Sequence, residues 1–367
     1  MISRQEIAEV LAGYDPRRLT VATIGSHSAL QIFHGAKQEG LRTLNICTQE
    51  RRATYESFPW AKADKFLIVE DFKDILREEI QTQLIEENSV VVPHGSFVEY
   101  VTAEAILERF AVPMFGNRES LNWETDRNRQ RAWLESAGLR MPKEYKTPSE
   151  IDQRVFVKLP GAKGGHGFFT ASNEEEFRRK ISEKVNGREI KPEDARNIAI
   201  QEFVVGVRYY LHFFASPMLK LGLPVRESSL ELLSMDKRIE PIDESYRGLP
   251  DVPEKFFDYT VTGNEPVIVR ESLLPEVLRM GARTVEKSME LFPPGMIGPF
   301  CLETIFSPGR GFTVFEISAR IVAGTNLYPM GSPYSAYLHK EPMSTGRRIA
   351  REISLGSERA QLDRIIF

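Results

Sequence analysis

The chain predicts an α/β protein, α+β in part, that opens with a doubly wound parallel sheet. Three observations predict it. Short apolar runs alternate with amphipathic helical segments over residues 19–115. A glycine-rich hairpin sits between two strands at 160–167. Two acidic residues, Glu303 and Glu316, interrupt apolar strands near the end of the chain. A length of 367 residues suits two or three domains rather than one.

In chain order, the first apolar run, 19–24, stops at Gly25. Residues 29–39 have helical spacing and end at Gly40, a C-terminal cap. Further strands are expected over 43–47, 66–69 and 89–92, with a charged helix over 72–86. Strand and helix alternating through short loops imply a parallel sheet. Ligands of such a sheet bind at the carboxyl ends of its strands. Two loops fall there, Gly25-Ser26-His27-Ser28 and Pro93-His94-Gly95-Ser96, which makes His27 and His94 candidate ligand contacts.

A second unit follows: a helix over 119–137, strands over 155–159, 168–170 and 198–204, and a helix over 174–184. The remainder is strand-rich, with candidates over 209–214, 230–235, 259–262, 297–306 and 312–317. It also has helices over 273–291 and 345–353, and a long surface loop over 241–258. The expected units are therefore 1–118, 119–204 and 205–367.

The formal net charge of -4 argues against nucleic acid as the main partner, since such binders carry a basic excess. It leaves room for an anionic substrate held by a few Arg and Lys in a cleft. Cys47 and Cys301 are far apart and sit in apolar runs, so they read as buried free thiols rather than a disulfide or zinc site. The first residues read as a helix start and not as a signal peptide. No stretch approaches the ~20 apolar residues of a membrane span. A cytoplasmic location is expected.

The loop Pro160-Gly161-Ala162-Lys163-Gly164-Gly165-His166-Gly167 lacks the Gly-Lys-Ser/Thr that opens the helix of a Walker A motif, and no helix follows it directly. A glycine hairpin between strands suits a flap over phosphates, because glycine permits close backbone approach and its N–H groups cradle anionic oxygens. Lys158 and Lys163 could supply charge. Glu303 and Glu316, placed on neighbouring strands, repel each other and need a cation. Mg²⁺ suits a site of one or two carboxylates completed by substrate phosphates, and Arg320 can clamp a phosphoryl or carboxylate oxygen. Arg118 and Arg127 are further candidates for a phosphate, whereas His166 and His212 read as structural or solvated.

Taken in order, these parts resemble the ATP-grasp superfamily. Ala137-Gly138-Leu139-Arg140-Met141-Pro142 is similar to its "AG(I/L)xxP" strand entry. Lys158 matches the strand lysine on ATP phosphates, and Gly161 to Gly167 the flexible loop with Gly164 and Gly165. Gln201-Glu202-Phe203-Val204 matches the hinge that pairs with adenine. Glu303 and Glu316-Ile317-Ser318-Ala319-Arg320 match the metal carboxylates and the "ExNxR" end, with Ser318 where Asn is usual. More particularly, Thr23-Ile24-Gly25-Ser26-His27-Ser28, Val92-Pro93-His94-Gly95-Ser96-Phe97, Val112-Pro113-Met114-Phe115-Gly116-Asn117-Arg118 and Pro293-Pro294-Gly295-Met296-Ile297-Gly298 resemble the archaeal formate-dependent FAICAR synthetase family. This resemblance spans the whole chain. One segment departs from it: Ile321-Val322-Ala323-Gly324-Thr325-Asn326 stands where the family often reads Val-Asp-Gly-Gly-Thr-Asn.

The resemblance implies an ADP-forming ligase with an N-terminal substrate-binding domain, a lid carrying the glycine loop and a larger C-terminal part carrying the metal site. It would use ATP, formate and Mg²⁺ or Mn²⁺ to formylate the amine of AICAR, 5-amino-1-(5-phosphoribosyl)imidazole-4-carboxamide, through formyl phosphate on the route to IMP. His27, Ser96 and Asn264 would contact AICAR, and Glu240 would contact ATP. Arg320 and His27 would serve the chemistry, and the chain would form a homo-oligomer, a trimer or hexamer. The alternatives are an ATP-grasp ligase for another carboxylate or amine, and a divergent paralogue that binds nucleotides without catalysis.

Overall fold

A computed structural model describes residues 2–163, 166–188, 190–191, 198–242 and 260–367, with 160–163 and 166–167 described by backbone alone. Its first sheet has four parallel strands, β1 (Thr20–Ile24), β2 (Arg42–Thr48), β3 (Lys65–Val69) and β4 (Ser89–Val91), in the order β3-β2-β1-β4. β1 is buried along its whole length and β2 at its five inner positions, as parallel strands covered on both faces must be. The expected helix over 72–86 is two pieces, a 3₁₀ turn Phe72–Leu76 and a helix Glu78–Glu86. The helix Gly95–Val101, which the sequence reading missed, begins directly after His94.

A smaller antiparallel sheet, order β5-β8-β6-β7, contains β5 (Glu144–Tyr145), β6 (Val155–Lys163), β7 (His166–Ala171) and β8 (Ala199–Glu202). Val155, Val157 and Leu159 turn to its own core with Phe169 and Phe177. Period-two alternation then sends Phe156 and Lys158 to the opposite face. The strands run into the expected glycine loop, pairing Lys163 with His166; Gly164 and Gly165 lie outside the described residues.

The third sheet carries β9 (Val207–Ser216), β10 (Leu223–Val225), β11 (Ser228–Ile239), β12 (Gly263–Pro266), β13 (Gly298–Ser307) and β14 (Gly311–Ser318). Its order is β10-β11-β9-β13-β14, with β12 also on β11. Pairing at β12 begins at Gly263 rather than over 259–262 as expected, and most of the predicted 241–258 loop lies outside the described residues. One face, with Leu211, Phe213, Phe300, Leu302 and Val314, forms a core with the helix Leu274–Leu291. Gly281 allows that helix to lie close, because a Cβ there would be 2.8 Å from both Phe213 and Leu230. Trp133 joins the same core, its Nε1 donating to Thr284 O at 3.0 Å. Its helix, Arg127–Ser136, is separated from Glu119–Thr125 by Asp126, whose side chain caps it. The expected single helix over 119–137 is therefore two.

The first and last parts of the chain interlock. The helices Ala29–Gln38 and Thr345–Glu358 cross at Gly35 and Gly346. A Cβ on either would lie 2.1 or 2.2 Å from the other helix's backbone. Phe367 exchanges backbone bonds with Met114 at 3.0 and 3.2 Å. Both Cys47 and Cys301 are buried free thiols, as expected.

Candidate active site

The face of the third sheet opposite the helix is charged. Along β11 it carries Asp236 and Arg238, with Glu240 just past the strand's end, and along β9 Arg208, Tyr210 and His212, because alternate residues share a face. On β13 and β14, Glu303 stands directly opposite Glu316, so the two carboxylates do share one face. A register shift follows this pair, between Glu303 and Thr304. Glu303 is buried and gripped by Arg238, whose Nη2 and Nη1 donate to its two oxygens at 2.9 and 3.2 Å. Ser318 Oγ adds a third donor at 3.3 Å. The Arg238 guanidinium also lies 3.9 Å above the Tyr210 ring.

Glu316 is open to water from the cleft and enclosed by protein elsewhere. Burial among those atoms pushes its carboxyl up to about 7; the Glu303 charge adds to this, and Lys158 and Arg238 oppose it. Because water reaches the group, its desolvation is incomplete and the repulsion from Glu303 is the firmer contribution. Arg238 answers Glu303, whereas among the described residues no side chain forms an ion pair with Glu316, which leaves that carboxylate open to a cation. Among the described residues no three His, Cys, Asp or Glu are placed to hold a metal ion together, so a cation here would have two protein carboxylates. That donor set fits Mg²⁺ or a similar hard ion completed by phosphate oxygens.

Lys158 comes from the small sheet to the same place. Burial lowers its pKa, while Glu316 and Glu303 act on it as opposing charges. The side chain of Lys163 is outside the described residues. Phe156 stacks on Phe168 at 5.0 Å and lies 6.3 Å from Phe203, so the cleft side of the small sheet is aromatic. Of the expected hinge, Glu202 N–H donates to Lys143 O at 2.8 Å and Phe203 N–H to Arg154 O at 3.1 Å. Those two amides are engaged within the sheet, and Val204 lies past its end. The Gln201 side chain donates to Glu144 at 2.9 Å, and Glu202 is paired with Arg310. Glu240 is buried and accepts from Arg208.

At the carboxyl ends of β1 and β4 the two predicted loops meet. Ser26 Oγ donates to Ser96 Oγ at 3.0 Å, and the rings of His27 and His94 stack with centroids 5.3 Å apart. His27 sits in the left-handed region at φ 52°, a conformation uncommon outside glycine. His27 is exposed to the cleft on one side; crowding by the surrounding protein, then the charges of His94, Arg320 and Arg238, lower its pKa below the usual histidine range. His94 is wholly buried. Its Nε2 donates to Ile24 O at 3.1 Å and its Nδ1 accepts Phe97 N–H at 3.4 Å, which caps the helix Gly95–Val101. Gly95 lets the His27 and Arg320 side chains come close: a Cβ there would lie 2.9 Å from His27 Nε2 and 3.3 Å from the Arg320 guanidinium carbon.

Arg320 is thus beside His27. It is fixed by the half-buried Glu124, which accepts from Arg320 Nη2 at 2.9 Å and from Ala319 N at 2.8 Å. The turn Ala323–Leu327 closes the floor. Asn326 Nδ2 donates to His27 O at 3.2 Å, and Gln31 Nε2 donates to Asn326 Oδ1 at 2.9 Å. Gly324 lies against Asp236, which accepts from Asn264 Nδ2 at 2.7 Å. Val322, at the departing segment, is buried with Tyr210 and Cys301.

One sequence expectation is corrected. Arg118 reaches no phosphate: its guanidinium is buried and donates to the carbonyls of Ile106, Phe110, Val112 and Phe367, at 2.7 to 3.3 Å. Burial pushes its pKa down to about 10. His212 is structural, as expected, set between Ser234 and Asp236. Sequence reasoning missed Arg238, Glu124, Ser26 and Asp236. The alternation Asp236, Arg238, Glu240 was the available signal for two of them; nothing local marks Glu124, whose partner is 195 residues away.

A parallel sheet with ligand loops at its strand ends, a small lid sheet and a large sheet with facing carboxylates together make the ATP-grasp fold. The solved structure of N5-carboxyaminoimidazole ribonucleotide synthetase from Thermotoga maritima shares that fold with a TM-score of 0.58 at 16% identity, over 91% of this chain and 75% of that one. Two family models match, one described as a domain of unknown function (DUF1297) over residues 176–367 and one as a protein of unknown function (DUF1246) over 21–145. A Korarchaeum cryptofilum protein, named 5-formaminoimidazole-4-carboxamide-1-(beta)-D-ribofuranosyl 5'-monophosphate synthetase, is 55% identical over all of both chains. The crystal structure of an IMP biosynthesis protein PurP from Thermococcus kodakaraensis is 34% identical with a TM-score of 0.73, covering 95% of this chain and 100% of that one. The chain belongs to this synthetase family.

Proposed function

We propose that the protein is an ATP- and formate-dependent ligase that converts AICAR to FAICAR, releasing ADP and phosphate. The observation that carries this reading is the pair Glu303 and Glu316, face to face within the electrostatic reach of Lys158. Family membership supports the substrate assignment.

The γ-phosphoryl of ATP passes to formate oxygen, giving formyl phosphate and ADP. The AICAR amine then attacks the formyl carbon, and phosphate leaves as the amine loses a proton. A divalent cation, Mg²⁺ in this proposal, when bound neutralises phosphate charge next to the two carboxylates. Lys158 offsets charge on the transferring group. Arg320, held by Glu124, offers its remaining donors to an acyl phosphate oxygen. The cations beside His27 favour its neutral imidazole, which can orient the carboxamide or take the proton late. Ser96 and Asn264 contact AICAR, and Val204 with Glu240 serves the nucleotide. Positioning contributes most, because the amine and formyl carbon must meet before water arrives.

The reading includes a cytoplasmic enzyme acting as a homo-oligomer, a trimer or hexamer, which light scattering tests. Among the described residues no helix is long and apolar enough to cross a membrane. The deciding assay follows labelled formate into FAICAR with ATP and AICAR. Label in FAICAR with matching ADP is expected. ATP hydrolysis without formyl transfer, or binding without turnover, would overturn the proposal in favour of another ligase substrate or a nucleotide-binding paralogue.

A further inference from the structure

β12 runs along the edge of β11, and its register sets Asn264 opposite Arg238. Residues directly opposite in an antiparallel pair share a face, so Asn264 belongs to the charged face. Its Nδ2 donates to Asp236 Oδ2 at 2.7 Å. The other oxygen of Asp236 is 2.7 Å from His212 Nε2, and His212 Nδ1 meets Ser234 Oγ at 2.7 Å. Asp236, His212 and Ser234 are all buried. A carboxylate only accepts. Asp236 therefore accepts from Asn264, and it faces the N–H of His212 at contact distance but outside hydrogen-bond geometry, which leaves His212 Nδ1 to accept the Ser234 hydroxyl. The amide of Asn264 is turned with its nitrogen inward and its Oδ1 away from Asp236.

We infer that Asp236, held by His212, is a positioning residue that presents the carbonyl oxygen of Asn264 to the substrate, so that the site selects a ligand with an N–H or O–H donor at that point. This rests on the reading of Asn264 as a substrate contact. The turn Ala323–Leu327 ties that contact to the His27 loop. Gly324 leaves no room for a Cβ, which would sit 2.0 Å from Asp236 Oδ1, and Asn326 Nδ2 donates to His27 O at 3.2 Å. β12 and β13 are three strands apart, roughly 14 Å at sheet spacing. Asn264 is thus set back from Glu303 along the sheet. Apart from the amine that must reach the formyl carbon, the donors of AICAR are its carboxamide N–H₂, on the neighbouring ring carbon, and its ribose hydroxyls.

Calorimetry with AICAR and two analogues tests this, one analogue carrying a carboxylate in place of the carboxamide and the other lacking the ribose hydroxyls. The wild type is expected to prefer AICAR over one of them by about tenfold or more, since the analogue leaves a polar oxygen unpaired. The analogue rejected identifies the donor. In D236N the new amide keeps its oxygen against His212 Nε2 and gives its own N–H to Asn264 Oδ1, turning the Asn264 amide round. The preference is then lost while KM for ATP is unchanged, and N264A loses it too. The exchange D236N/N264D puts an acceptor back towards the cleft and restores the preference. The inference is overturned if D236N keeps the wild-type preference, if a folded D236N/N264D shows none, or if the wild type binds all three ligands alike. Should D236N not fold, preference in D236N/N264D but not in N264A supports the inference, and its loss in both sinks it. Failure of the functional reading is distinct: the wild type would then form no FAICAR at all.

Discussion

Glu303 and Glu316 repel each other, yet only Glu303 has a bidentate arginine. Removing one carboxylate therefore has two effects: it halves the anionic charge available to a cation and leaves Arg238 unpaired. Glu303→Gln is expected to lower ADP release by about 10²-fold or more, comparable with the loss of one transition-state charge partner. The Mg²⁺ concentration for half-maximal rate should rise with it, whereas an unchanged Mg²⁺ dependence would remove Glu303 from the cation site. His94 gives a second prediction at this scale. Burial holds its imidazole down to about 4, against the ordinary 6.5. Between those values the unfolded chain binds a proton that the native chain does not. Its contribution is complete above pH ~6.5 and is lost as pH falls towards ~4, about 3 kcal/mol in all. Urea unfolding of His94→Gln across that window should show a shallower pH slope than wild type.

Elements meet where glycine allows it. The helices Ala29–Gln38 and Thr345–Glu358 touch backbone to backbone at Gly35 and Gly346. Gly35→Ala places a methyl group 2.1 Å from Arg347 N, so the helices must separate, at a cost of about 1–3 kcal/mol or more. A lower thermal midpoint is the expected result, and an unchanged one would mean the contact is not so close. The helix Ala29–Gln38 starts at the His27 loop, so part of this displacement should also appear as a higher KM for AICAR. The glycine pattern was visible in the sequence. Which glycines marked a turn and which a helix crossing was not, because that depends on a partner more than 300 residues away.

Across the whole molecule, a buried charge cluster joins the last helix to the large sheet. Arg348 donates to Glu231 at 2.8 to 3.1 Å and to Glu352 at 2.7 Å, and His339 adds a contact to Glu231 at 2.9 Å. Ser216 Oγ and Met218 N complete the shell of Glu352 at 2.8 and 3.1 Å. The cluster is satisfied, so it stabilises little by itself. Taking away Arg348 leaves two buried carboxylates without their cation, and Arg348→Met should cost about 3–5 kcal/mol. Equilibrium denaturation measures this. A loss below about 1 kcal/mol would show that water or His339 compensates.

The sequence by itself determined the alternation that builds the parallel sheet, the strand-ending loops at His27 and Ser96, and the two carboxylates set in apolar strands. Periodicity and local turn chemistry act between near neighbours, so one sequence is enough to read them. Only the tertiary structure decided that Arg238 holds Glu303, that Glu124 fixes Arg320 and that Asp236 turns Asn264. It also took Arg118 out of the cleft. These depend on strand register and on partners 28 to 249 residues apart. A charged side chain commits to its partner only when burial removes water as the alternative, and burial is a property of the assembled fold.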